Sequence, residues 1–381
     1  MTFNVHTILY CHHYSKISGG ETSLLELWRN LDREKFRPIL AGPEYGPFAD
    51  EARKLGVKIC PIEFGRLRQG VLLLKNIASL RAIAQIEGAA ILHSNGPVTN
   101  LPAGIAARLL GLPAIWHARV MNSPGQTDLD RLLSPLSSLI IANSDAIRER
   151  FRRRGTLPQK AVTIINGVDI QNFHPSSSGE GVRKQWDISS GDILAGVVGR
   201  ISPVKGQETF IEAAARLAPE FQNLRFILIG SALFEKEKEY ELKIRRLVAD
   251  KGLEKKIIFA GYQSDVASYM SALDICVVPS DEEGCGRAIF EAMAMAKPVV
   301  GTNTGGTPEI VVEGETGLLI HPRDAETLAG AIKKLAYDDG IRARMGEAGR
   351  RRVEENFTIE DHTRKTESQY LRLIDKGVDD G

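Results

Sequence analysis

The sequence predicts an α/β protein made of two doubly wound domains, each a parallel sheet with helices on both faces. Three observations carry that expectation. Short apolar runs alternate with helix-length segments along nearly the whole chain, the pattern of a parallel sheet covered on both sides. The alternation pauses at His174-Pro175-Ser176-Ser177-Ser178-Gly179-Glu180-Gly181, which is polar and serine-rich like an interdomain linker, and then restarts. Each half opens on a strand followed by a glycine-bearing turn. At 381 residues and 43% hydrophobic content the chain can bury two cores of ordinary size.

In the first half, Val5–Cys11 reads as a strand that leads through His12-His13-Tyr14 to Gly19-Gly20-Glu21-Thr22 and an apolar-periodic helix, Ser23–Leu31. Strand, glycine pair and helix form a phosphate-compatible turn, because a missing Cβ lets backbone amides approach a ligand; a glycine pair also serves as a plain tight connection. The alternation continues with the strand Arg37–Ala41, the helix Pro47–Gly56, the strand Val57–Ile62 and the helix Val71–Gly88. Ala90–His93 is the next strand, followed by Ser94-Asn95-Gly96-Pro97 and the helix Leu101–Gly111. Pro113–Trp116 delivers His117-Ala118-Arg119 at its carboxyl end, and Leu139–Ala142 and Ala161–Ile165 complete the set. Ligands of open α/β sheets lie beyond the carboxyl ends of the strands. His12, Asn95, His117 and Arg119 occupy such ends and are candidates to hydrogen-bond a substrate.

The second half restarts with Ile193–Val198 and the loop Gly199-Arg200-Ile201-Ser202-Pro203-Val204-Lys205-Gly206 before the helix Gln207–Ala218. Two cations five residues apart at one loop mouth can clamp a diphosphate. Arg225–Ile229 ends in Gly230-Ser231-Ala232, and the charged helix Phe234–Leu253 precedes the strand Ile257–Gly261. Asp274–Ser280 is then an apolar strand running into Asp281-Glu282-Glu283-Gly284-Cys285-Gly286-Arg287-Ala288. The helix opening near Gly286 to Ala288 points unpaired amides and a positive dipole end into this loop, where anions bind. Glu283 stands before the helix tip and Glu291 roughly 5–8 Å down the helix, at about 1.5 Å per residue. A diphosphate at the tip would leave one acid for hydroxyls on each side; two acids at a helix start are equally compatible with a solvated face. Pro298–Gly301, the loop Thr304-Gly305-Gly306-Thr307-Pro308-Glu309 and a closing helix with apolar Tyr370, Leu371 and Ile374 follow.

The stretch from Glu282 to Val300, with the glycine-rich segment after it, resembles the donor-site region of retaining glycosyltransferases of the GT-B fold, the group 1 or family 4-like type. The resemblance is strong over about residues 190–330 and weaker before. It implies two Rossmann-like domains facing across a cleft, residues 1–172 on the acceptor side and 173–357 binding a nucleotide sugar, with a last helix of about 358–381 crossing back onto the first. Asn166-Gly167-Val168-Asp169, with Phe173 four residues on, matches the motif that ends the first domain. The family's diphosphate motif matches Gly199, Arg200, Lys205 and Gly206. The resemblance further implies donor contacts at Gly20, at Tyr262 through Val266 beside the base, and at Glu283, Gly284, Cys285, Gly286, Arg287, Ala288 and Glu291, with Glu283 on the sugar and Glu291 on the ribose. His117 is similar to a histidine that meets the donor sugar near its reactive carbon, so the catalytic set is His117, Glu283, Arg200 and Lys205. Phe and usually Leu stand in the family where this chain has Cys285 and Arg287. The implied reaction is metal-independent transfer from a nucleotide-diphosphate sugar to an acceptor hydroxyl, with no cofactor. A nucleotide-sugar epimerase of the same fold and a non-catalytic nucleotide-sugar-binding protein are the alternatives.

The net charge of +1 gives no global sign of nucleic-acid binding, but the part through Asp169 carries +7 and the remainder −6. A basic half fits an anionic acceptor or an anionic membrane surface and equally a solvated face. Its densest piece, Arg148 to Arg154, reads as a basic helix end or as such a surface. Cys11, Cys60, Cys276 and Cys285 lack metal-ligand spacing and suit a reducing compartment. No run of about 18 apolar residues occurs, so the expectation is a cytoplasmic protein, at most peripheral to a membrane.

Overall fold

The computed structural model describes residues 5–65, 70–121, 127–152 and 159–379. Its first sheet contains seven parallel strands: β1 His6–Cys11, β2 Phe36–Gly42, β3 Lys58–Pro61, β4 Ala89–Ser94, β5 Ala114–Ala118, β6 Leu139–Ala142 and β7 Ala161–Thr163, in the spatial order β3-β2-β1-β4-β5-β6-β7. The second contains six: β8 Ile193–Val198, β9 Leu224–Ile229, β10 Ile257–Gly261, β11 Ile275–Val278, β12 Val299–Thr302 and β13 Gly317–Ile320, in the order β10-β9-β8-β11-β12-β13. Both are Rossmann-like sheets with their crossovers made by helices, as the alternating pattern requires.

The period of two along a strand sorts residues to opposite faces. Ile8 and Tyr10 of β1 join Leu24, Trp28 and Tyr370 on one side. Leu9 and Cys11 join Ile77, Leu80, Ala103 and Ala106 on the other. The closing helix, Ile359–Asp379, thereby belongs to the first unit, which comprises the chain up to Gly167 and from Ile359 onward. Tyr370 is fully buried and its hydroxyl lies 2.9 Å from that of Tyr10 and 2.7 Å from His93 Nδ1. Leu371, expected among the apolar contacts, is exposed instead, being one residue and about 100° around the helix from Tyr370.

Val168–Thr358 forms the second unit. Its core joins β8, β9 and β11 to the helices Gln207–Leu217, Glu235–Asp250 and Ala325–Tyr337. The helix Arg287–Ala294 is anchored at its far end. Gly346 of the helix Asp339–Asn356 lets that helix touch the Ala296 carbonyl, where a Cβ would come within 1.9 Å, and Arg350 donates to the carbonyls of Phe173 and Ala294.

Several boundaries move from expectation. β5 runs on through Ala118, because His117 and Ala118 pair with Ile141 and Ala142 of β6; His117 is therefore inside a strand, not past it. The helix after β4 starts at Pro97 instead of Leu101, since proline at the first position has no amide to lose there.

Gly206 links β8 to its helix at φ +67°, and a Cβ on it would stand 1.8 Å from the Pro279 carbonyl oxygen. Gly206→Ala is expected to destabilise the second unit by about 3 kcal/mol or more. Gly330→Ala, in the middle of a helix with nothing near its Cβ position, is expected to stabilise it by about 1 kcal/mol. Urea denaturation of the two variants checks both signs.

Candidate active site

The order of the second sheet reverses between β8 and β11: β9 and β10 lie to one side, β12 and β13 to the other. The loops leaving the carboxyl ends of β8 and β11 carry the residues expected to bind donor, at the position where open sheets bind ligands. The two loops are tied together. Asp281 N–H donates to the Val204 carbonyl at 2.9 Å, and Lys205 Nζ donates to Glu283 Oε2 at 2.5 Å. Ser280 Oγ donates to the same carboxylate oxygen at 3.0 Å, and Glu283 is only 8% exposed. Its backbone is fixed as well: Gly306 N–H donates to the Glu283 carbonyl at 2.9 Å. Gly305, at φ +55°, approaches that carbonyl so closely that a Cβ would lie 1.9 Å from it.

Gly286 precedes the helix Arg287–Ala294 and supplies no side-chain cap, and its carbonyl accepts from the Ile289 amide at 3.0 Å. Gly284 is half-buried, Cys285 is buried, and Ala288 lies in the first turn with its carbonyl facing Cys276 Sγ at 3.8 Å. Arg287 and Glu291 form an ion pair one helical turn apart at 3.0 Å, with both side chains about nine-tenths buried. The expected ribose acid thus carries a cation supplied by the chain itself.

Arg200 does not reach either expected carboxylate. Its Nε lies 3.2 Å from Glu237 Oε1 and its guanidinium carbon 5.1 Å from the centre of the Phe234 ring. Sequence reasoning missed Glu237 because it sits in a helix where charges are dense; the one usable sign was its place in the first turn beyond a strand end. Gly199 leaves β8 at φ +147°. Tyr262 is 61% exposed, and Val266 begins a helix capped by Asp265. Both follow β10, two strands from β8.

In the first unit the order reverses between β1 and β4, and four candidates meet there. Asn95 Nδ2 lies 3.4 Å from His12 Nδ1. Arg119 donates from Nε to Asn95 Oδ1 at 2.9 Å, from Nη1 to Asn166 Oδ1 at 3.0 Å and from Nη2 to His117 Nδ1 at 3.3 Å. Asn166, read from sequence as a turn residue, is thus a partner of the cluster. Gly20 is the second residue of the helix Gly19–Asn30, and a Cβ there would meet the Arg119 stem at 3.6 Å. Glu21 lies 3.1 Å from His12 Nε2 and accepts from the Ser18 amide. Burial would raise its carboxyl, but His12 and Ser18 outweigh that and bring it down to about 2.

His117 is fully buried and stacked on His93 at 5.5 Å. Burial, then Arg119 and His93, hold its imidazole well below the ordinary value, so the ring is neutral at pH 7. Arginine only donates, which makes Nδ1 the acceptor and puts the proton on Nε2. That nitrogen has no hydrogen-bond partner among the described residues.

The described part of the basic run is compensated locally. Arg148 pairs with Asp145, Arg150 makes two bonds to Asp128, and Arg152 pairs with Glu149; Arg153 and Arg154 lie outside the described residues. Among the described residues no helix is long and apolar enough to cross a membrane, and no group of three or more His, Cys, Asp or Glu is arranged to hold a metal ion.

Residues 180–352 match the family described as Glycosyl transferases group 1, and residues 17–172 match Glycosyltransferase Family 4. The lipopolysaccharide core biosynthesis mannosyltransferase LpcC of Rhizobium leguminosarum bv. viciae is 30% identical over 301 residues, covering 72% of this chain and 85% of the relative. The chain belongs to the group 1 glycosyltransferases. An Escherichia coli relative, UDP-Gal:alpha-D-GlcNAc-diphosphoundecaprenol alpha-1,3-galactosyltransferase, is 24% identical across 94% of this chain and 95% of its own. The crystal structure of Anabaena Alr3699/HepE in complex with UDP and glucose superposes with a TM-score of 0.83 at 26% identity, covering 95% of this chain and 98% of that one. This group 1 enzyme is therefore a nucleotide-sugar glycosyltransferase of the GT-B fold. Its departure from the family pattern at Arg287 coincides with the buried ion pair to Glu291.

Burial lowers His93 to about 3, and His117 is lowered well below its ordinary value too. In the unfolded chain both take up protons near 6.5. Below that pH the unfolded chain binds more protons than the folded one, so stability is full above about 6.5 and is lost on acidification. The thermal midpoint of the enzyme is expected to fall steadily from pH 7 to pH 5 in calorimetry, and a midpoint unchanged over that range would contradict the neutral, buried imidazoles.

Proposed function

We propose that the enzyme transfers a glycosyl group from a nucleotide-diphosphate sugar to a hydroxyl of a sugar-, lipid- or small-molecule acceptor, with retention at the anomeric carbon and without a metal. The observation that carries the reading is the Lys205–Glu283 ion pair at 2.5 Å, at the strand-order reversal and just ahead of the helix Arg287–Ala294. Donor diphosphate takes the Lys205 ammonium, the Arg200 guanidinium and the first amides of the Arg287–Ala294 helix. These fixed charges offset the negative charge that grows on the leaving group, the term that is usually largest in such reactions. Glu283 then accepts hydrogen bonds from hydroxyls of the transferred sugar, and Glu291, oriented by Arg287, from the ribose. Tyr262 and Val266 border the base.

The first unit supplies the acceptor side. His12, Asn95 and Arg119 offer hydrogen bonds there; Gly20 offers its amide to the donor diphosphate, and the partnerless Nε2–H of His117 is the donor for a hydroxyl of the transferred sugar. The relatives named above act in lipopolysaccharide and lipid-linked glycan synthesis, which favours a glycan or glycolipid acceptor, met in the cytoplasm or at the inner face of a membrane.

Lys205→Ala is expected to lower kcat at least 100-fold, about 2.7 kcal/mol of transition-state stabilisation, while the fold melts as before. Near-normal turnover would defeat the clamp. EDTA is expected to leave the transfer rate unchanged, and the product anomer, read by NMR coupling constants, is expected to match the donor. An epimerase would convert donor with no acceptor present; a chromatogram of nucleotide sugar incubated alone with the enzyme is expected to show no epimer.

A further inference from the structure

Arg200 is held by residues outside the expected site. It sits in the loop after β8, whereas Phe234 and Glu237 enter from the loop after β9 and the first turn of the helix Glu235–Asp250. Glu237 is buried, at 8% exposure, and uses both carboxylate oxygens. Oε2 accepts from the Leu233 and Phe234 amides at 3.0 and 3.2 Å, and Oε1 faces Arg200 Nε at 3.2 Å. The same loop is fixed elsewhere: Ala232 N–H donates to Glu241, and the Ser231 carbonyl accepts from Ile201 N–H at 3.1 Å. The Arg200 carbonyl in turn accepts from Gln207 Nε2 at 2.9 Å.

An arginine on a loop carries about 2 kcal/mol of rotamer entropy that an anion must overcome on binding. Here one edge of the guanidinium meets an immobile carboxylate and one face meets an aromatic ring, a combination of charge-assisted and cation–π contacts. The two terminal Nη groups make no hydrogen bond among the described residues, and Glu237 is the one carboxylate there that pairs with the guanidinium. They form the fork that engages phosphate oxygens in pairs.

We infer that Glu237 and Phe234 are positioning residues that hold Arg200, whose side chain is 31% exposed, for the diphosphate of the nucleotide sugar. The inference rests on the reading that Arg200 serves that diphosphate. A competing role for Glu237, capping its helix and nothing more, differs in sign. A carboxylate near a diphosphate repels it, so neutralising a mere cap would tighten binding of the anion, whereas releasing Arg200 weakens it.

The test titrates the full-length protein with UDP, GDP and the corresponding nucleosides by calorimetry. Glu237→Gln keeps an oxygen for the amides and loses the charge; Glu237→Asp keeps the charge and withdraws it by one methylene. Both variants are expected to bind whichever diphosphate the wild type prefers on the order of 3- to 10-fold more weakly, with nucleoside binding unchanged. In the Arg200→Ala background, Glu237→Gln is expected to add nothing. Tighter or unchanged diphosphate binding by Glu237→Gln, an equal loss for the nucleoside, or an additive loss in the double variant overturns the inference. If Arg200→Ala itself leaves diphosphate binding intact, the donor-clamp reading beneath it falls as well. A matched melting temperature for each variant excludes unfolding as the cause of any loss.

Discussion

The direction of parallel strands is the constraint on which the rest of this enzyme depends. Every strand in each sheet ends at the same edge, so every loop that follows a strand emerges there too. Strand order reverses once per sheet, between β1 and β4 and between β8 and β11, and at those places successive loops leave toward opposite faces. In the second unit the opening is bordered by Gly199–Gly206 and Pro279–Gly286; in the first, by the segments carrying His12 and Asn95. Arg200, Lys205, Glu283, His12 and Asn95 occupy these four loops because topology leaves backbone accessible there.

Charge is balanced locally around the donor-side loops. Glu283, Glu291 and Glu237 are all buried, and each faces a cation: Lys205, Arg287 and Arg200. A buried carboxylate without a partner is strongly unfavourable, so these acids and cations stabilise one another within the protein. The first unit uses a different device. Its buried His93 and His117 imidazoles are neutral, and Arg119 directs its donors to Asn95, Asn166 and His117.

The existence of most strands was legible in the sequence, since apolar runs buried on both faces leave a strong pattern; β13, Gly317–Ile320, was not. The loops after β8 and β11 were legible too, through their glycines, and the structure ties them together by the Asp281 amide and Lys205. What was not legible came from tertiary partners. β5 extends through a polar residue, His117, only because β6 lies beside it. Asn166 looked like a turn residue and serves Arg119 across 47 positions of sequence. Glu237 was one acid among many on a charged helix, and no local pattern distinguishes the one that meets Arg200. The Arg287–Glu291 pair, by contrast, follows from helical spacing; only its depth of burial required the fold.

Val168 and Thr358 bridge one another at the two ends of the second unit, and Val168 N–H donates to the Phe357 carbonyl at 3.0 Å. The second unit is thus an uninterrupted stretch of chain, closed at its own base like a bead on a looped thread. The first is not: Tyr370, whose hydroxyl meets both Tyr10 and His93, arrives 360 and 277 positions after them. During synthesis the later-made unit can finish first, while the earlier one waits with an incomplete core until the returning helix leaves the ribosome.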